Sequence, residues 1–272
     1  MDRYAVIGNP IGHTKSPLIH TAFAQGSGQS LEYIALEAPS DGFATAAAAF
    51  RDAGGRGMNV TAPFKLDAFA WATDLSERAQ LAGAVNALKL EGGKVLADNF
   101  DGVGLVRDIE QNLGRLMRGK RVLLMGAGGA ARGALHPFLA ARPAQLVLVN
   151  RTVTKAEALA QEFAACGPIV GVGYGDLDHS AFDIVVNATS ASLRGELPPV
   201  TTDVFAPSSL AYELAYGKGL TPFLRLAQGT GVRNLADGVG MLVEQAAEAF
   251  AWWRGVRPET APMIAQLTVP LA

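Results

Sequence analysis

Short apolar runs alternate with helix-like segments along the whole chain. In the first hundred residues the apolar runs end near glycine or polar turns, as short buried strands do. Strands are predicted over residues 4–8, 31–37 and 57–61, and over a hairpin formed by 85–91 and 94–97. The intervening segments begin with capping residues such as Ser16-Pro17 or are rich in alanine. They predict helices over residues 17–24, 41–53, 65–72 and 76–81.

Beyond a predicted helix over 102–113, strands and helices alternate regularly. Strands are predicted over 121–125, 145–149, 169–172, 184–187 and 210–213. Helices over 130–140 and 155–165 separate the first three strands, and this order predicts a parallel, doubly wound sheet. Two last helices, over 241–251 and 261–267, lie outside the alternation.

We therefore predict an α/β protein of two domains. Residues 1–101 form an N-terminal α/β domain that we expect to bind the substrate. Residues 102–237 form a Rossmann-like, doubly wound domain, and residues 238–272 form C-terminal helices that pack back on the first domain.

Composition excludes several classes of protein. The 272 residues carry a net charge of −2, which argues against nucleic-acid partners and a polybasic membrane contact. A single cysteine, Cys166, cannot form an intrachain disulfide, and we expect it in the core. No apolar run is long enough to span a bilayer and no signal peptide is evident, so we expect a cytoplasmic protein. His13 and His20 lack neighbours at metal-ligand spacing, and we expect no metal.

A glycine-rich turn follows the predicted strand over 121–125. Its sequence is Gly126-Ala127-Gly128-Gly129-Ala130, and a helix is predicted directly after it. Strand, glycine turn and helix in this order are typical of a dinucleotide site, where the backbone approaches a pyrophosphate at the helix N-terminus. A purely structural turn is the alternative.

The next strand indicates which dinucleotide is bound. It ends in Asn150-Arg151-Thr152, with Lys155 one turn further on, where an NAD site usually has an acidic residue for the ribose hydroxyl. Two cations and nearby hydroxyls suit a 2′-phosphate, so NADP is the predicted cofactor. Thr189, at the end of a later strand, is expected under the nicotinamide ribose, unless it belongs to an ordinary polar turn.

Polar residues on the N-terminal side form a second candidate site. Thr14 and Ser16 precede a predicted helix, and two hydroxyls at its positive end suit a carboxylate, although Ser16 could simply cap the helix. Thr61, Asn86 and Asp101 follow strand ends or begin loops, and could converge on a polyhydroxylated ligand. Turn formation alone would also explain each of them.

Many of these residues belong to ordered motifs through which the chain resembles bacterial shikimate dehydrogenases over essentially its full length. The motifs are Gly8-Asn9-Pro10-Ile11, Lys15-Ser16-Pro17-Leu18-Ile19-His20, Asn59-Val60-Thr61, Pro63-Phe64-Lys65, Gly83-Ala84-Val85-Asn86, Asp98-Asn99, Asp101-Gly102-Val103-Gly104, the glycine-rich turn, Asn150-Arg151-Thr152, Asn187-Ala188-Thr189 and Asp237-Gly238 through Gln245.

The resemblance implies reversible, NADP-dependent reduction of 3-dehydroshikimate to shikimate, with a small-molecule substrate and a monomeric or homodimeric protein. It implies a catalytic dyad of Lys65 and Asp101. Thr14 and Ser16 would bind the carboxylate, and the ring hydroxyls would contact Thr61, Asn86, Asp101, Tyr216 and Gln245. Leu214 and Gly238 would line the nicotinamide.

Five departures from the family pattern leave the substrate open. Thr14 replaces a serine, Phe100 a threonine and Glu213 an aspartate, while Ala62 and Ala87 replace a valine and a threonine. Phe100 is the least expected, because it is bulky and apolar beside Asp101. A quinate-preferring relative and a non-catalytic NADP-binding sensor are therefore alternative interpretations.

Overall fold

The computed structural model describes residues 1–178 and 180–271, and its contacts divide the chain into two compact units. The first unit comprises Met1–Gly104 together with Val243–Met263. The second comprises Leu105–Leu242 and the residues from Ile264 on. The first unit is therefore discontinuous in sequence. The domain bounds expected from the sequence, 1–101, 102–237 and 238–272, stay a prediction.

A six-stranded mixed sheet forms the frame of the first unit. Its strands are β1 (Asp2–Gly8), β2 (Leu31–Glu37), β3 (Gly55–Val60), β4 (Asp74–Leu75), β5 (Ala87–Glu91) and β6 (Lys94–Asp98), in the spatial order β2-β1-β3-β5-β6-β4. Strand β1 runs parallel to both of its neighbours, β2 at the edge and β3 on the other side, whereas β5 runs antiparallel to both β3 and β6. The predicted hairpin is β5 and β6, joined through Gly92 and Gly93 in positive-φ conformations that suit glycine.

Helices flank this sheet or continue from its strand ends. They are α1 (Ser16–Gly26), α2 (Phe43–Asp52), α3 (Lys65–Trp71) and α4 (Glu77–Ala82), and α5 (Asp101–Arg107) begins where the hairpin ends. One buried cluster packs Phe43, Phe50 and Phe64 with apolar residues of the sheet. A second cluster joins Tyr4 and Tyr33 to Trp253 from the C-terminal part of the chain.

The second unit is built on a fully parallel sheet. Its strands are β7 (Arg121–Met125), β8 (Gln145–Val149), β9 (Ile169–Val172), β10 (Phe182–Asn187), β11 (Phe205–Glu213) and β12 (Asn234–Asp237), in the order β12-β11-β10-β7-β8-β9. The chain winds outward from β7 in both directions, so the predicted doubly wound fold is confirmed. The β7 and β10 strands pair at the point where the winding reverses.

The remaining helices are α6 (Gly129–Ala140), α7 (Val153–Phe163), α8 (Pro222–Gly229), α9 (Val239–Arg254) and α10 (Ala261–Leu267). The sequence pattern missed β12, because Asn234 and Asp237 make a four-residue edge strand look like a turn. It also missed α8, although Thr221 caps that helix by accepting a hydrogen bond from the Leu224 N–H, and Pro222 follows as its first residue.

Two further expectations are corrected. The single helix expected over 102–113 is the α-helix α5 followed by a π-turn over Asp108–Asn112. Asp108 at this turn is buried and accepts a hydrogen bond from the Tyr212 hydroxyl at 2.7 Å, which ties the turn to β11. Cys166 is exposed rather than buried, because it ends a short turn after α7. No helix in the described ranges is long and apolar enough to cross a membrane.

Gly57 shows how tightly α9 packs on the first sheet. The Trp253 indole N–H donates to the Leu88 carbonyl at 3.0 Å, and a Cβ on Gly57 would lie 2.7 Å from the indole nitrogen and 2.8 Å from that carbonyl oxygen. A backbone carbonyl in a sheet cannot move aside as a flexible side chain can.

We therefore predict that Gly57→Ala lowers the free energy of unfolding by about 1–3 kcal/mol through overpacking. Chemical denaturation of the two variants Gly57→Ala and Gly26→Ala measures the effect. Gly26 ends α1 and a Cβ there meets no atom within 4 Å, so the free energy of unfolding of Gly26→Ala should be unchanged or raised by up to about 1 kcal/mol. Equal stability of the two variants would contradict the packing argument.

Candidate active site

Lys65 and Asp101 form an ion pair in the first unit. Lys65 is the first residue of α3 and Asp101 the first residue of α5, so both lie where the chain leaves the sheet. The Lys65 Nζ donates to Asp101 Oδ2 at 2.5 Å. The lysine side chain is 34% exposed and the aspartate 18%, which leaves the ammonium accessible to a ligand while the carboxylate is mostly covered.

Two amides complete the polar group around Asp101. The Asn86 Nδ2 donates to Asp101 Oδ1 at 2.8 Å and lies 3.2 Å from the Gln245 Oε1. Asn86 is itself fixed, because its Oδ1 accepts the Phe100 N–H at 2.8 Å and its carbonyl accepts from the Asn59 side chain at 3.3 Å. Each Asp101 oxygen thus accepts a hydrogen bond from a different residue, and together the two bonds fix the orientation of the carboxylate.

Asp98 and Asn99 hold the backbone at Asp101. The Asn99 Oδ1 accepts the Asp101 N–H at 3.1 Å, and its Nδ2 donates to the Ala84 carbonyl at 3.0 Å. Asp98 is buried and binds the Arg78 guanidinium through two hydrogen bonds of 3.2 and 2.6 Å. A bidentate pair of this kind fixes orientation as well as charge, so the turn that carries Asp101 has little freedom.

Phe100 does not enter the polar site, contrary to the expectation that it alters the surroundings of the dyad. Its side chain is 3% exposed and packs edge-on against Trp252, with ring centroids 5.7 Å apart. The Arg78 guanidinium lies 5.2 Å from the centre of the Phe100 ring. Phe100 therefore belongs to the buried cluster that includes Tyr4, Tyr33 and Trp253.

Thr14 and Ser16 lie together at the start of α1. The Thr14 Oγ1 donates to the Ser16 Oγ at 3.2 Å and accepts the Ser16 N–H at 3.3 Å. The helix N-cap is Lys15, which makes no side-chain cap, so Ser16 is not the capping residue that the simpler interpretation required. Thr61 follows β3, and its N–H donates to the Ile7 carbonyl at 3.0 Å.

His20 is structural in this unit. It is fully buried, stacked on Tyr33 with ring centroids 4.2 Å apart, and burial lowers its pKa to about 3. A neutral imidazole in an aromatic cluster cannot serve as a proton donor near neutral pH. Within residues 1–178 and 180–271, no three His, Cys, Asp or Glu side chains are grouped as metal ligands.

The second unit contains an open cavity of about 490 Å³ at the ends of its central strands. It gathers ten of the residues expected to bind the cofactor, namely Gly126, Ala127, Gly128, Gly129, Ala130, Asn150, Arg151, Thr152, Lys155 and Thr189. Gly126 has a φ of +106°, and a Cβ there would lie 3.2 Å from the Ala188 carbonyl oxygen, so glycine permits this turn. A Cβ on Gly128 or Gly129 would meet nothing within 4 Å, so the backbone there is open to a ligand.

Electrostatics at the cavity favour a phosphorylated ligand. The N-cap of α6 is Gly128, which has no side chain to satisfy the first amides of the helix. Arg151 and Lys155 add two cations at the other strand end. Tyr174 also lines the cavity, and burial raises its pKa to about 12 against the opposing charge of Arg151, so it stays a neutral phenol.

Arg194 is a cavity residue that sequence reasoning missed. It ends a short 3-10 turn, Ser192–Arg194, in the loop after β10. A cation soon after Asn187-Ala188-Thr189 was the available signal, but no sequence motif includes it.

Three other expected residues of the second unit lie outside the residues that line the cavity. Gly238 approaches the strand end so closely that a Cβ would lie 2.1 Å from the Leu214 carbonyl oxygen. Leu214 and Gly238 are thus neighbours. Tyr216 follows on the same loop with 41% of its surface exposed. The Gly217 N–H and the Val239 N–H both donate to Asp237, which links the two segments.

Glu213 is a fully buried acidic side chain that hydrogen-bonds to residues next to the cavity. It accepts hydrogen bonds from the Asn187 Nδ2 at 3.0 Å, from Thr221 Oγ1 at 3.0 Å and from the Ser192 hydroxyl. Asn187 in turn accepts from the N–H and the hydroxyl of Thr189, at 3.1 and 2.7 Å. These partners are neutral donors, and burial raises the pKa of the Glu213 carboxyl above its ordinary value.

Three family models match successive parts of the chain. The shikimate dehydrogenase substrate binding domain matches residues 6–88, the shikimate / quinate 5-dehydrogenase model matches 108–194, and the shikimate 5′-dehydrogenase C-terminal domain matches 238–268.

Full-length relatives agree with these matches. The shikimate dehydrogenase (NADP(+)) of Nitrosospira multiformis is 57% identical over 98% of this chain and 97% of its own. The crystal structure of an Ael1 enzyme from Pseudomonas putida is 62% identical, covers 100% of both chains and has a TM-score of 0.96. Shikimate 5-dehydrogenase from Thermus thermophilus, in complex with NADP(H) and shikimate, is 30% identical over 97% of this chain and 98% of that one, with a TM-score of 0.86.

Glu213 generates a prediction about stability and pH. Because its folded-state pKa is raised, the folded protein keeps a proton that the unfolded chain releases near pH 4.5. The stability contribution of Glu213 is therefore greatest below that value and is lost as pH rises through the folded pKa. Glu213→Gln removes this dependence, since the facing hydroxyls can rotate to accept from the new amide.

We expect the free energy of unfolding of Glu213→Gln to improve relative to the parent as pH rises above about 4.5, measured by denaturant titration from pH 4.5 to 8. Glu157→Gln, which removes a charge from an exposed position of α7, controls for the loss of charge alone. A difference between Glu213→Gln and the parent that does not vary with pH would contradict the assignment.

Proposed function

The chain belongs to the shikimate dehydrogenase family, and we propose that it catalyses the reversible, NADP-dependent reduction of 3-dehydroshikimate to shikimate with Lys65 and Asp101 as its catalytic pair. The observation that carries the assignment of residues is the ion pair of Lys65 with Asp101, whose second oxygen is held by Asn86. An NADP-dependent oxidoreductase of this family adds a hydride to the carbonyl carbon, and it needs a proton donor beside the carbonyl oxygen.

The cofactor fits the cavity of the second unit. The glycine turn and the α6 N-terminus would hold the pyrophosphate, and Arg151 and Lys155 would hold the 2′-phosphate. When bound, NADPH supplies the hydride, and the protein supplies position and electrostatics.

Lys65 acts on the oxygen of the ketone. Hydride addition leaves negative charge on that oxygen, and an ammonium within hydrogen-bond reach stabilises the charge and delivers a proton. Asp101 holds the ammonium in place and accepts from the same hydroxyl after reduction. Because Asn86 fixes the other oxygen of Asp101, the carboxylate cannot rotate away from Lys65.

The remaining contacts orient the substrate. Thr14 and Ser16 at the N-terminus of α1 would bind the carboxylate, through two hydroxyls and the positive end of the helix. Thr61, Asn86, Gln245 and Tyr216 stay the residues expected to contact the ring hydroxyls. A cytoplasmic location and a monomeric or homodimeric state stay predictions.

Thr14 motivates a second candidate substrate. Quinate carries an additional hydroxyl beside its carboxylate, and a threonine in place of serine changes the space at that end of the site. Phe100 no longer supports this alternative, because its side chain is buried away from the polar site.

We predict that Lys65→Ala lowers kcat by about 100- to 10,000-fold with little change in the Kd for shikimate, because the ammonium acts mainly on charge that develops in the transition state. Steady-state kinetics and equilibrium binding measure the two quantities. Lys94→Ala removes an exposed lysine from the same unit and should leave both unchanged. A kcat for Lys65→Ala within twofold of the parent would exclude Lys65 as the proton donor.

We predict the highest kcat/KM for shikimate with NADP in a panel that combines shikimate and quinate with NADP and NAD. The cations at the second strand end favour the 2′-phosphate, and the family assignment favours shikimate. Thr14→Ser restores the family residue and serves as the matched variant. A preference for quinate with NAD would overturn the proposed activity.

A further inference from the structure

We propose that Arg194 is a third cation for the 2′-phosphate of the cofactor, acting beside Arg151 and Lys155, and that Glu196 limits its availability. The proposal rests on NADP being the cofactor of the proposed function. It adds to that function a residue that determines preference for NADP over NAD.

Arg194 lines the same cavity as the two cations expected to bind the 2′-phosphate. It reaches the cavity from the loop after β10, whereas Arg151 and Lys155 come from the end of β8 and the start of α7. The cavity therefore has cations on two separate segments of chain. A phosphate between them would be bound from two sides.

The position of the guanidinium is set by two contacts. Its Nη1 donates to the Ser190 hydroxyl at 2.9 Å, and its Nε and Nη2 donate to Glu196 Oε2 at 3.0 and 2.8 Å. Arg194 and Glu196 side chains are 51% and 52% exposed, so this pair is screened by water and is readily exchanged. A phosphate dianion can replace the carboxylate on the same face of the guanidinium, because both offer two oxygens to its planar fork.

The Glu196 carboxylate interacts with the charges of both Arg194 and Arg151. The pKa of the Glu196 carboxyl is lowered first by its hydrogen bond from Arg194 and by the charge of Arg194, with a smaller contribution from Arg151. The charge of Arg151 therefore acts on the carboxylate that binds Arg194. Arg151 and Arg194 also line the same cavity.

Charge balance explains why Arg194 would increase the affinity for NADP more than the affinity for NAD. Three cations, Arg151, Lys155 and Arg194, and one carboxylate, Glu196, leave an excess of two positive charges among these residues. A 2′-phosphate carries about −1.5 to −2 charges near neutral pH, whereas the 2′-hydroxyl of NAD carries none. Removal of Arg194 should therefore weaken NADP binding selectively.

The test is fluorescence titration of the full chain with NADPH and NADH at fixed ionic strength, without turnover. For Arg194→Ala we expect the Kd for NADPH to rise about tenfold, as for loss of one charge-assisted contact, and the Kd for NADH to change less than twofold. Adenosine 2′-phosphate should lose affinity in parallel with NADPH, whereas adenosine 5′-phosphate should not. Arg118→Ala removes an exposed arginine elsewhere in the same unit and should alter none of these constants.

Glu196→Gln should act in the opposite direction. Removing the competing carboxylate frees the Arg194 guanidinium, so the Kd for NADPH should fall about two- to fivefold. An unchanged Kd for NADPH in Arg194→Ala would overturn the proposal, as would an equal loss for NADPH and NADH, which indicates contact with a group that both cofactors share. Parent protein that binds NADPH but fails to oxidise shikimate would refute the proposed function and leave the role of Arg194 intact.

Discussion

The proposed catalytic site of the first unit depends on how the Asp101 carboxylate is held. One oxygen binds Lys65 and the other binds Asn86, while the backbone N–H of Asp101 is fixed by Asn99. Each partner comes from a different element of the first unit, so helix, hairpin and turn must all be in place before the lysine points correctly. A partly exposed ion pair gains little stability of its own, and its value lies in geometry.

In the second unit the acidic side chain that orders its surroundings, Glu213, is fully buried, unlike the partly exposed Asp101. Glu213 is not among the residues that line the cavity, yet its oxygens accept hydrogen bonds from neutral donors at the end of β10, in the loop after it and at the cap of α8. Burial of an ionisable side chain is costly, and the hydrogen bonds of Glu213 offset part of that cost while they order several short segments at once. Thr189, which lines the cavity, is held by Asn187, and Asn187 is in turn held by Glu213.

Much of the architecture could be predicted, because buried strands are apolar and the glycine turn has its own signature. The dyad required the resemblance, since Lys65 alone follows a strand and a proline as many surface cations do. Phe100 was misjudged because sequence adjacency to Asp101 does not reveal on which side of the backbone a ring lies. Arg194 was missed because it lines a cavity built from the segments after four different strands, which no local pattern encodes.

The first unit is complete only when a segment distant in sequence, Val243–Met263, packs against it. Asn86 lies 159 residues before its Gln245 partner, and Leu88 lies 165 residues before the indole of Trp253. During synthesis on a ribosome, the whole parallel sheet emerges before these two residues do. The parallel sheet can thus be complete while the first unit still lacks the α9 segment that packs on it. A chain cut short after residue 242 would keep every strand of the parallel sheet and lose the partners of Asn86 and Leu88.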